Sequence, residues 1–323
     1  MNIIAEKPPL VKWSEKKIRN QMVANRMISA GFVKRGRAML ECGTILQQKT
    51  CPDCGKSFIS SANLCRDRMC PTCQWRLSLQ RFAEMCNTLA YIGDLEQYEA
   101  GFLTLTVRNC EPKKLKETLS VMAKAWHRML CTVRKQLNII GWARSVEITY
   151  NAEANTFHPH YHVILLLEAG QSEDHRKTYF TYQWGTALGV QYIPQVDYRW
   201  IRSDCCALDN QVFTHAILET YKYAVKSDDI AEMPLVTFRH LVNGIGGARL
   251  VSYGGIIKDA RRALDYKETD KPEEPIKGDI CDCGASLQAT LLRWSFEEGM
   301  YKKMVTQLEN SPIYQYLPNV GTV

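Results

Sequence analysis

The sequence lacks any hydrophobic run long enough to cross a bilayer, and this absence limits its class. A membrane-spanning helix needs roughly 20 consecutive apolar residues, and the 323 residues contain no such run. The first ten residues also lack the basic-then-apolar pattern of a secretory signal. A composition of 46% hydrophobic and 23% charged residues is typical of a globular chain with a real core. We therefore expect a cytoplasmic protein without a membrane partner.

A phosphate-binding loop of the Gly-x4-Gly-Lys-Ser/Thr type is missing as well. The glycine-rich stretch at residues 244–247 lacks the lysine and the hydroxyl residue of that motif. We therefore expect no nucleotide hydrolysis by this chain. The sequence also contains no internal repeat of the kind that would indicate a solenoid.

What the sequence does have is positive charge concentrated near its start. Residues 1–82 contain 15 Lys and Arg against 5 Asp and Glu, although the formal net charge of the whole chain is only +7. A basic first quarter on a near-neutral remainder predicts a polyanionic partner, most often nucleic acid. From charge alone, an accidental bias of a solvated surface is the alternative.

Thirteen cysteines are many for a chain without a signal sequence, and their odd number argues against a disulfide scaffold. Cys51 and Cys54 form one CxxC knuckle, and Cys70 and Cys73 form a second after fifteen intervening residues. Because each knuckle can present two thiolates to one ion, these four residues predict a structural zinc site. The pair Cys281 and Cys283 is a weaker signal, which we interpret as structural cysteines without a metal.

The exact zinc ligands stay open at this stage. Cys42 and Cys65 lie in the same stretch, so either could replace a knuckle cysteine, and six thiolates could hold two ions. Arginines around the knuckles predict a basic surface that contacts DNA phosphates. These predicted DNA-binding residues are Arg66, Arg68, Arg76 and Arg81.

Three of the seven histidines lie within five residues, at positions 158, 160 and 162. The apolar run at residues 163–167 predicts a buried strand. In a strand, alternate side chains share a face, so His160 and His162 project together. Two imidazoles at this spacing can bind one divalent ion.

The preceding strand, predicted over residues 143–150, supplies a candidate third ligand. A short polar loop centred near Ala154 would make an antiparallel hairpin and place Glu147 opposite His162. This predicts a mixed histidine and carboxylate site for Mn²⁺ or Mg²⁺. His158 is the alternative third ligand.

Residues 209–226 have helical spacing. His215, Glu219 and Tyr223 are four residues apart in turn, which predicts one helix face, with Lys226 beside the tyrosine. A phenol that attacks phosphate needs a nearby cation to stabilise the phenolate and the added charge. Glu219 could position or activate a second nucleophile such as water.

In order, these segments are a strand at residues 102–107, a His-x-His strand and a Glu-x-x-x-Tyr helix. This order resembles the HUH endonucleases, in particular the replication initiators of small bacterial rolling-circle plasmids. Residues 63–76 are similar to the N-terminal cysteine motif of that family. The resemblance covers roughly residues 38–265.

The resemblance implies that the chain nicks one strand at the double-strand origin of a plasmid. A covalent 5′-phosphotyrosine would form and leave a 3′ hydroxyl as primer. His160 and His162 match the HUH pair, and Tyr223 and Lys226 match the catalytic tyrosine and its lysine. Glu219 matches the residue that activates water for the terminating cleavage. Implied partners are duplex and single-stranded origin DNA, a host helicase and the replication polymerase.

The cysteine pattern departs from the family in one respect. Many relatives combine a cysteine near the position of Cys42 with those matching Cys65, Cys70 and Cys73. This chain adds the knuckle at residues 51–54, so the resemblance does not settle the zinc ligands.

The expected fold is α+β, with a mostly antiparallel central sheet of the HUH kind, packed helices and a small N-terminal zinc module. We expect a basic DNA-binding segment at residues 1–82 and a nicking domain at residues 83–265. An acidic linker and a C-terminal helix or tail would follow at residues 266–323. The competing hypotheses are an HUH transposase of the same fold and a non-catalytic zinc-containing DNA-binding regulator.

Overall fold

The computed structural model describes residues 9–93, 95–168, 175–201, 211–221, 224–267, 269, 271–272 and 278–304. The fold is α+β with two antiparallel sheets, which confirms the predicted class. The chain divides into a smaller unit of residues 1–15, 42–63 and 274–323 and a larger unit of residues 16–41 and 64–273. This division differs from the predicted boundaries at residues 82 and 265, because a C-terminal strand returns to pair within the cysteine-rich stretch.

The elements are numbered in chain order. Helices α1 to α9 span Pro9–Ser29, Val33–Glu41, Pro71–Ile92, Leu115–Gln136, Arg176–Leu188, Gln211–Thr220, Ser227–Glu232, Leu235–Ile245 and Ile256–Ala263. Strands β1 to β9 span Ile45–Thr50, Ser57–Ala62, Tyr98–Thr106, Ile139–Asn151, Thr156–Glu168, Val196–Ile201, Val251–Gly255, Gln288–Ser295 and Met300–Lys303. Among the described residues, no helix is both long and apolar enough to cross a membrane.

The larger unit is built on a five-stranded sheet in the order β6-β3-β5-β4-β7, in which every neighbouring pair is antiparallel. Strand β5, which carries the histidines, is central, as predicted. Its apolar residues 163–167 are all buried, because helices cover both faces of the sheet. Strands β4 and β5 form a hairpin whose turn contains Asn155 in the left-handed region at φ 48°.

Helices α3, α6 and α9 pack on one face of this sheet. Phe213 and Ile217 of α6 are fully buried there against Ile164 and Leu166 of β5, and each contributes about 1.5–3 kcal/mol by its burial. On the opposite face, the ring of Tyr161 lies between Trp126 of α4 and Trp184 of α5, at centroid distances of 6.4 and 6.2 Å. The sheet is therefore held between two helical layers.

The smaller unit contains a four-stranded sheet in the order β2-β1-β8-β9. Leu46 of β1 pairs with Leu292 of β8, and both are buried together with Trp294. The predicted C-terminal helix is wrong, because Leu292 and Trp294 bury alternate positions of a strand. Residues 305–323 of the predicted tail lie outside the described residues.

Candidate metal centres and active site

Glu147, His160 and His162 lie on one face of the large sheet and are called here the histidine group. Strand pairing places Glu147 opposite His160 and Ser145 opposite His162. The predicted register, with Glu147 opposite His162, is therefore wrong by two residues. Because side chains alternate along a strand with a period of two, this shift keeps Glu147 on the histidine face.

One carboxylate oxygen of Glu147 contacts both imidazoles of the histidine group. Oε2 of Glu147 lies 3.1 Å from Nε2 of His160 and 2.8 Å from Nε2 of His162. Ligands bound about 2.1 Å from one ion also stand about 3 Å apart, so this spacing fits a shared metal. His158, the alternative third ligand, lies outside this group, with its ring centroid 5.6 Å from that of His160.

Second contacts orient both imidazoles. Nδ1 of His160 lies 3.2 Å from the carbonyl oxygen of His158, and Nδ1 of His162 lies 3.3 Å from Oγ1 of Thr104. A carbonyl oxygen can only accept, so this contact is a hydrogen bond when Nδ1 of His160 carries the proton, and Nε2 can then bind a metal ion. Nε2 faces a carboxylate oxygen, which is the arrangement that a cation between the two atoms stabilises.

The negative charge of Glu147 also suits the binding of a metal ion. Burial raises the pKa of this carboxyl, but hydrogen bonds and charge from His160 and His162 outweigh that effect and hold the pKa well below its usual range. The side chains of the group are only 9–11% exposed. The histidine group therefore offers a carboxylate and two imidazoles in a nearly dry site.

The predicted continuous helix over residues 209–226 is wrong. Helix α6 ends at Thr220, and Lys226 is an exposed residue that precedes α7. Glu219 is half-buried in the last turn of α6, whereas Tyr223 lies outside the described residues. The backbone N–H of Ile148 donates to the carbonyl of Ala224 at 2.7 Å. The residue after Tyr223 is therefore held beside β4, one position along from Glu147.

Tyr221 is a core residue. Its side chain packs in the apolar cluster between α6 and the sheet and is 3% exposed. Burial raises the pKa of this phenol well above its ordinary value. A buried, protonated phenol is a poor nucleophile toward DNA, so the geometry disfavours Tyr221 for that role.

The two predicted zinc knuckles do not share one metal group, so the predicted set of Cys51, Cys54, Cys70 and Cys73 is wrong as a single site. In the smaller unit, Sγ of Cys51 lies 3.5 Å from that of Cys283, and Sγ of Cys54 lies 3.6 Å from that of Cys281. All four ligand atoms lie within 4.8 Å of one another. We call this set of four the hairpin cysteine group, because one pair lies in the β1–β2 hairpin.

The pair at residues 281 and 283, interpreted from sequence as lacking a metal, therefore supplies half of a four-thiol site. Its partners are more than 200 residues away in the chain, and the pairing of β8 with β1 brings the two pairs together. The backbone N–H of Cys54 favours the thiolate of Cys51 and lowers the pKa of that thiol to about 7.

The second knuckle lies in the larger unit, at the start of α3. Cys65, Cys70 and Cys73, called here the helix cysteine group, have sulfur atoms within 4.8 Å of one another. Cys70 is the N-cap of α3 and accepts from the backbone N–H of Cys73 at 3.5 Å. The backbone N–H of Arg66 donates to Sγ of Cys73 at 3.2 Å. N–H donors and a helix N-terminus both favour thiolates, as a zinc site requires.

The four arginines predicted to bind DNA have different surroundings. Arg66 is exposed, and the guanidinium of Arg76 lies 5.9 Å from the ring centroid of Trp75. Nη1 of Arg68 donates to the carbonyls of Ile245 and Ala248 at 2.8 and 2.9 Å. Nη2 of Arg81 donates to the carbonyl of residue 269 at 3.2 Å.

Sequence reasoning missed a basic cleft in the larger unit. Arg68 and Arg81 line it together with Arg249, Arg261 and Lys267, and its volume is about 300 Å³. The three additional residues come from the end of α8 onward, far from the cysteine motif in the chain. A local charge count over residues 1–82 could not find them.

Comparison with known proteins gives two family matches. A family described as replication protein matches residues 56–302, and a transposase zinc-binding domain matches residues 14–93. The first match includes the histidine group, the helix cysteine group and both Cys281 and Cys283. The second match is confined to the N-terminal part of the chain.

Relatives that match over most of their own length also support the replication protein family. A protein named "Protein rep" from a Bacillus species is 30% identical over 266 residues, which cover 74% of this chain and 83% of that protein. A "Protein rep" from Lentilactobacillus hilgardii is 28% identical over 300 residues, or 90% of this chain and 94% of the relative. One from Streptococcus pneumoniae serotype 2 is 29% identical over 266 residues, or 80% and 81%. No solved structure matches the chain significantly. Because the first family model spans more than half of the sequence, this chain belongs to the replication protein family.

Proposed function

We propose that this chain is a plasmid replication initiator that nicks one strand at the double-strand origin and leaves a 3′ hydroxyl as primer. The histidine group carries the proposal, because it gathers a carboxylate and two oriented imidazoles on the central strands. Membership in the replication protein family supports the biological process. The resemblance to HUH initiators supports the chemistry.

Glu147, His160 and His162 would hold Mn²⁺ or Mg²⁺. A bound ion supplies polarisation of the scissile phosphate and stabilises the charge that develops on it. The surrounding residues keep the ligands in place. Thr104 and the carbonyl of His158 fix the imidazole orientations, and the ring of Phe102 stacks on His162 at 5.7 Å.

Tyr223 is the proposed nucleophile. Its phenol oxygen would bond to the phosphorus while the bond from phosphorus to the 3′ oxygen breaks. The phenol loses its proton to a base, and the departing 3′ oxygen gains one, so a 5′-phosphotyrosine and a 3′ hydroxyl result. The hydrogen bond from Ile148 to Ala224 supports this role, because it holds the adjacent residue near Glu147.

Glu219 and Lys226 are proposed to support the two cleavages. Lys226 would stabilise the phenolate and the charge on the phosphate. Glu219, four residues before Tyr223, would activate water for the terminating cleavage, which would then release the strand without a second phosphotyrosine. Its half-buried place in the last turn of α6 leaves it in the segment that leads to Tyr223.

The cysteine groups are proposed to hold two structural zinc ions. The hairpin cysteine group supplies four thiols for one ion. The helix cysteine group supplies three thiols for the other. The match to a transposase zinc-binding domain over residues 14–93 supports zinc in this stretch.

The proposed partners follow from the reaction. The basic N-terminal segment, including the exposed Arg66, would hold duplex origin DNA, and the histidine group would receive the single strand. Unwinding and synthesis would depend on a host helicase and the replication polymerase, because the chain has no nucleotide-binding loop.

A second candidate function is transposition on the same fold, which the match to a transposase zinc-binding domain favours. That match covers only residues 14–93, however, whereas the replication family covers the histidine group as well. A non-catalytic DNA-binding regulator would leave the oriented histidine group without a purpose.

A nicking assay tests the proposal. Supercoiled plasmid carrying the cognate origin is incubated with Mn²⁺ or Mg²⁺ and the full chain. We expect open circles with protein bound to the 5′ end for the wild type, and none for Tyr223→Phe. Tyr221→Phe is the matched control and should still nick, because that ring belongs to the core.

Equal nicking by Tyr223→Phe would remove Tyr223 as the nucleophile. Origin binding by the wild type without any nicking would favour the regulator. Joining of the cut strand into unrelated target DNA would favour the transposase.

A further inference from the structure

The basic cleft is defined by Arg68, Arg81, Arg249, Arg261 and Lys267 of the larger unit. Its remaining lining includes Tyr253 and the aliphatic side chains of Leu77 and Val251. Arg249 and Lys267 are exposed at its edge, whereas Arg261 is buried. Cationic side chains from four separate parts of the chain thus surround one space of about 300 Å³.

Positive charge predominates among the described lining residues of the cleft, which include five cations and one acid. That acid is Glu84, and its Oε2 is bound to Nη2 of Arg261 at 2.6 Å. Like charges at close range repel one another, so an anion among the five cations would stabilise the arrangement.

Arg261 adds a second, independent observation. Its side chain is 4% exposed and its guanidinium lies 4.1 Å from the ring centroid of Tyr253. Within the part of the chain that the structure describes, Nε and Nη1 of Arg261 are buried without a hydrogen-bond partner. A buried guanidinium that uses only some of its donors is costly unless further negative charge lies nearby.

The cleft lies on the same sheet face as the histidine group. Val251 of β7 is paired with Ser145 of β4, and Ser145 is paired with His162 of β5. Paired residues share a face, and neighbouring strands are 4.7–4.9 Å apart, so Val251 and His162 are separated by about 10 Å across the sheet. A ligand in the cleft would therefore lie beside the histidine group.

We infer that the basic cleft binds a phosphate group, namely a backbone phosphate of the DNA strand that the histidine group receives. This inference rests on the proposed function, because it assigns the strand as the source of the phosphate. The arginines offer the paired donors that phosphate oxygens accept. A free nucleotide has the same chemistry and is the other source.

The test measures binding without cleavage. A labelled single-stranded origin oligonucleotide is titrated by fluorescence anisotropy with full-length Tyr223→Phe, and no Mn²⁺ or Mg²⁺ is added. No chelator is used, so the cysteine groups stay intact. We expect Arg249→Ala with Lys267→Ala to bind roughly tenfold more weakly at low salt. The slope of log affinity against log salt should fall by about 0.7 for the one lost phosphate contact.

Arg262→Ala is the matched control, because it removes an exposed arginine of α9 that neighbours Arg261 in sequence but does not line the cleft. It should keep both the affinity and the salt slope. Arg261→Lys is a second variant that retains the buried charge and removes the planar donors, and it should also weaken binding.

Calorimetry with inorganic phosphate and with dTMP separates the two sources. Weaker oligonucleotide binding by the double variant supports the strand. Unchanged oligonucleotide binding with lost dTMP or phosphate binding overturns the strand as source and leaves a free phosphate ligand. No change with any probe overturns the inference altogether. Because these measurements need no cleavage, a failed nicking assay would refute the proposed function without deciding this result.

Discussion

The two sheets of the molecule are stabilised in different ways. In the larger unit, β5 is central and its apolar run is buried between two layers of helices. In the smaller unit, four short strands come from segments more than 200 residues apart, and they bury few large apolar side chains among the described residues. The smaller sheet instead has four thiols that join the β1–β2 hairpin to the chain entering β8.

With zinc bound as proposed, metal ligands replace part of an apolar core in the smaller unit. A small unit buries too little apolar surface to offset the entropy of ordering its chain. A tetrahedral zinc site supplies folding free energy directly. The larger unit has an apolar core of its own, and its histidine group is available for chemistry.

The largest expected effect follows from removing Cys281 and Cys283 together. Structural zinc contributes roughly 10–16 kcal/mol in small domains, so loss of the proposed ion should remove much of the stability of the smaller sheet. Cys281→Ser with Cys283→Ser should lower the zinc content by one ion per chain. Hydrogen exchange should then show loss of protection in β1 and β8 and unchanged protection in β5.

Cys131→Ser is the control, because Cys131 is exposed on α4 outside both cysteine groups. It should change neither the zinc content nor the protection. An unchanged zinc content in the double variant would refute the hairpin site. Loss of protection in β5 as well would show that the two units unfold together and that the contrast between them is false.

In the larger unit, His160→Ala with His162→Ala should remove function without removing the fold. Loss of the ligands of a catalytic ion should reduce nicking by roughly a thousandfold or more. Duplex origin binding, measured by anisotropy, should stay within a fewfold of the wild type. His127→Ala, which removes an exposed histidine of α4, should nick normally. Nicking that survives the double substitution would remove the histidine group from the mechanism.

Matched core substitutions compare the two sheets directly. Leu46 and Leu166 are both fully buried, one in each unit. A buried leucine replaced by alanine costs about 2–5 kcal/mol. We expect Leu46→Ala to lower exchange protection in β1 and β8, and Leu166→Ala to lower it in β5. If either substitution lowers protection equally in both sheets, the units are not independently stabilised.

The parts that local sequence reveals were predicted well. The apolar run after His162 indicated a buried strand. The hairpin that carries Glu147 to the histidines was also predicted, although its register was displaced by two residues. These features depend on neighbours in the chain, which patterns of period 2 and 3.6 report.

Long-range pairings could not be read from the sequence. Cys283 joins Cys51 only because β8 pairs with β1, and no local signal links residues 232 positions apart. The end of α6 at Thr220 was likewise missed, because helical spacing of polar and aromatic residues continues past it. The basic cleft combines α3, the end of α8 and α9, so it follows from packing and not from any motif.

The smallest expected effect on the first cleavage belongs to Glu219→Ala. Glu219 lies in the last turn of α6 and is not one of the three ligands of the histidine group, so nicking by Tyr223 should stay within a fewfold of the wild type. If Glu219 activates water for the terminating cleavage, its loss should leave that step to slower routes. Strands longer than one plasmid unit should then accumulate, as denaturing gels of replication products would reveal. Glu219→Asp should restore part of the termination, because it retains a carboxylate. A normal ratio of unit-length to longer strands in Glu219→Ala would assign termination to another residue. A nicking defect as large as that of the double histidine variant would instead place Glu219 in the first cleavage.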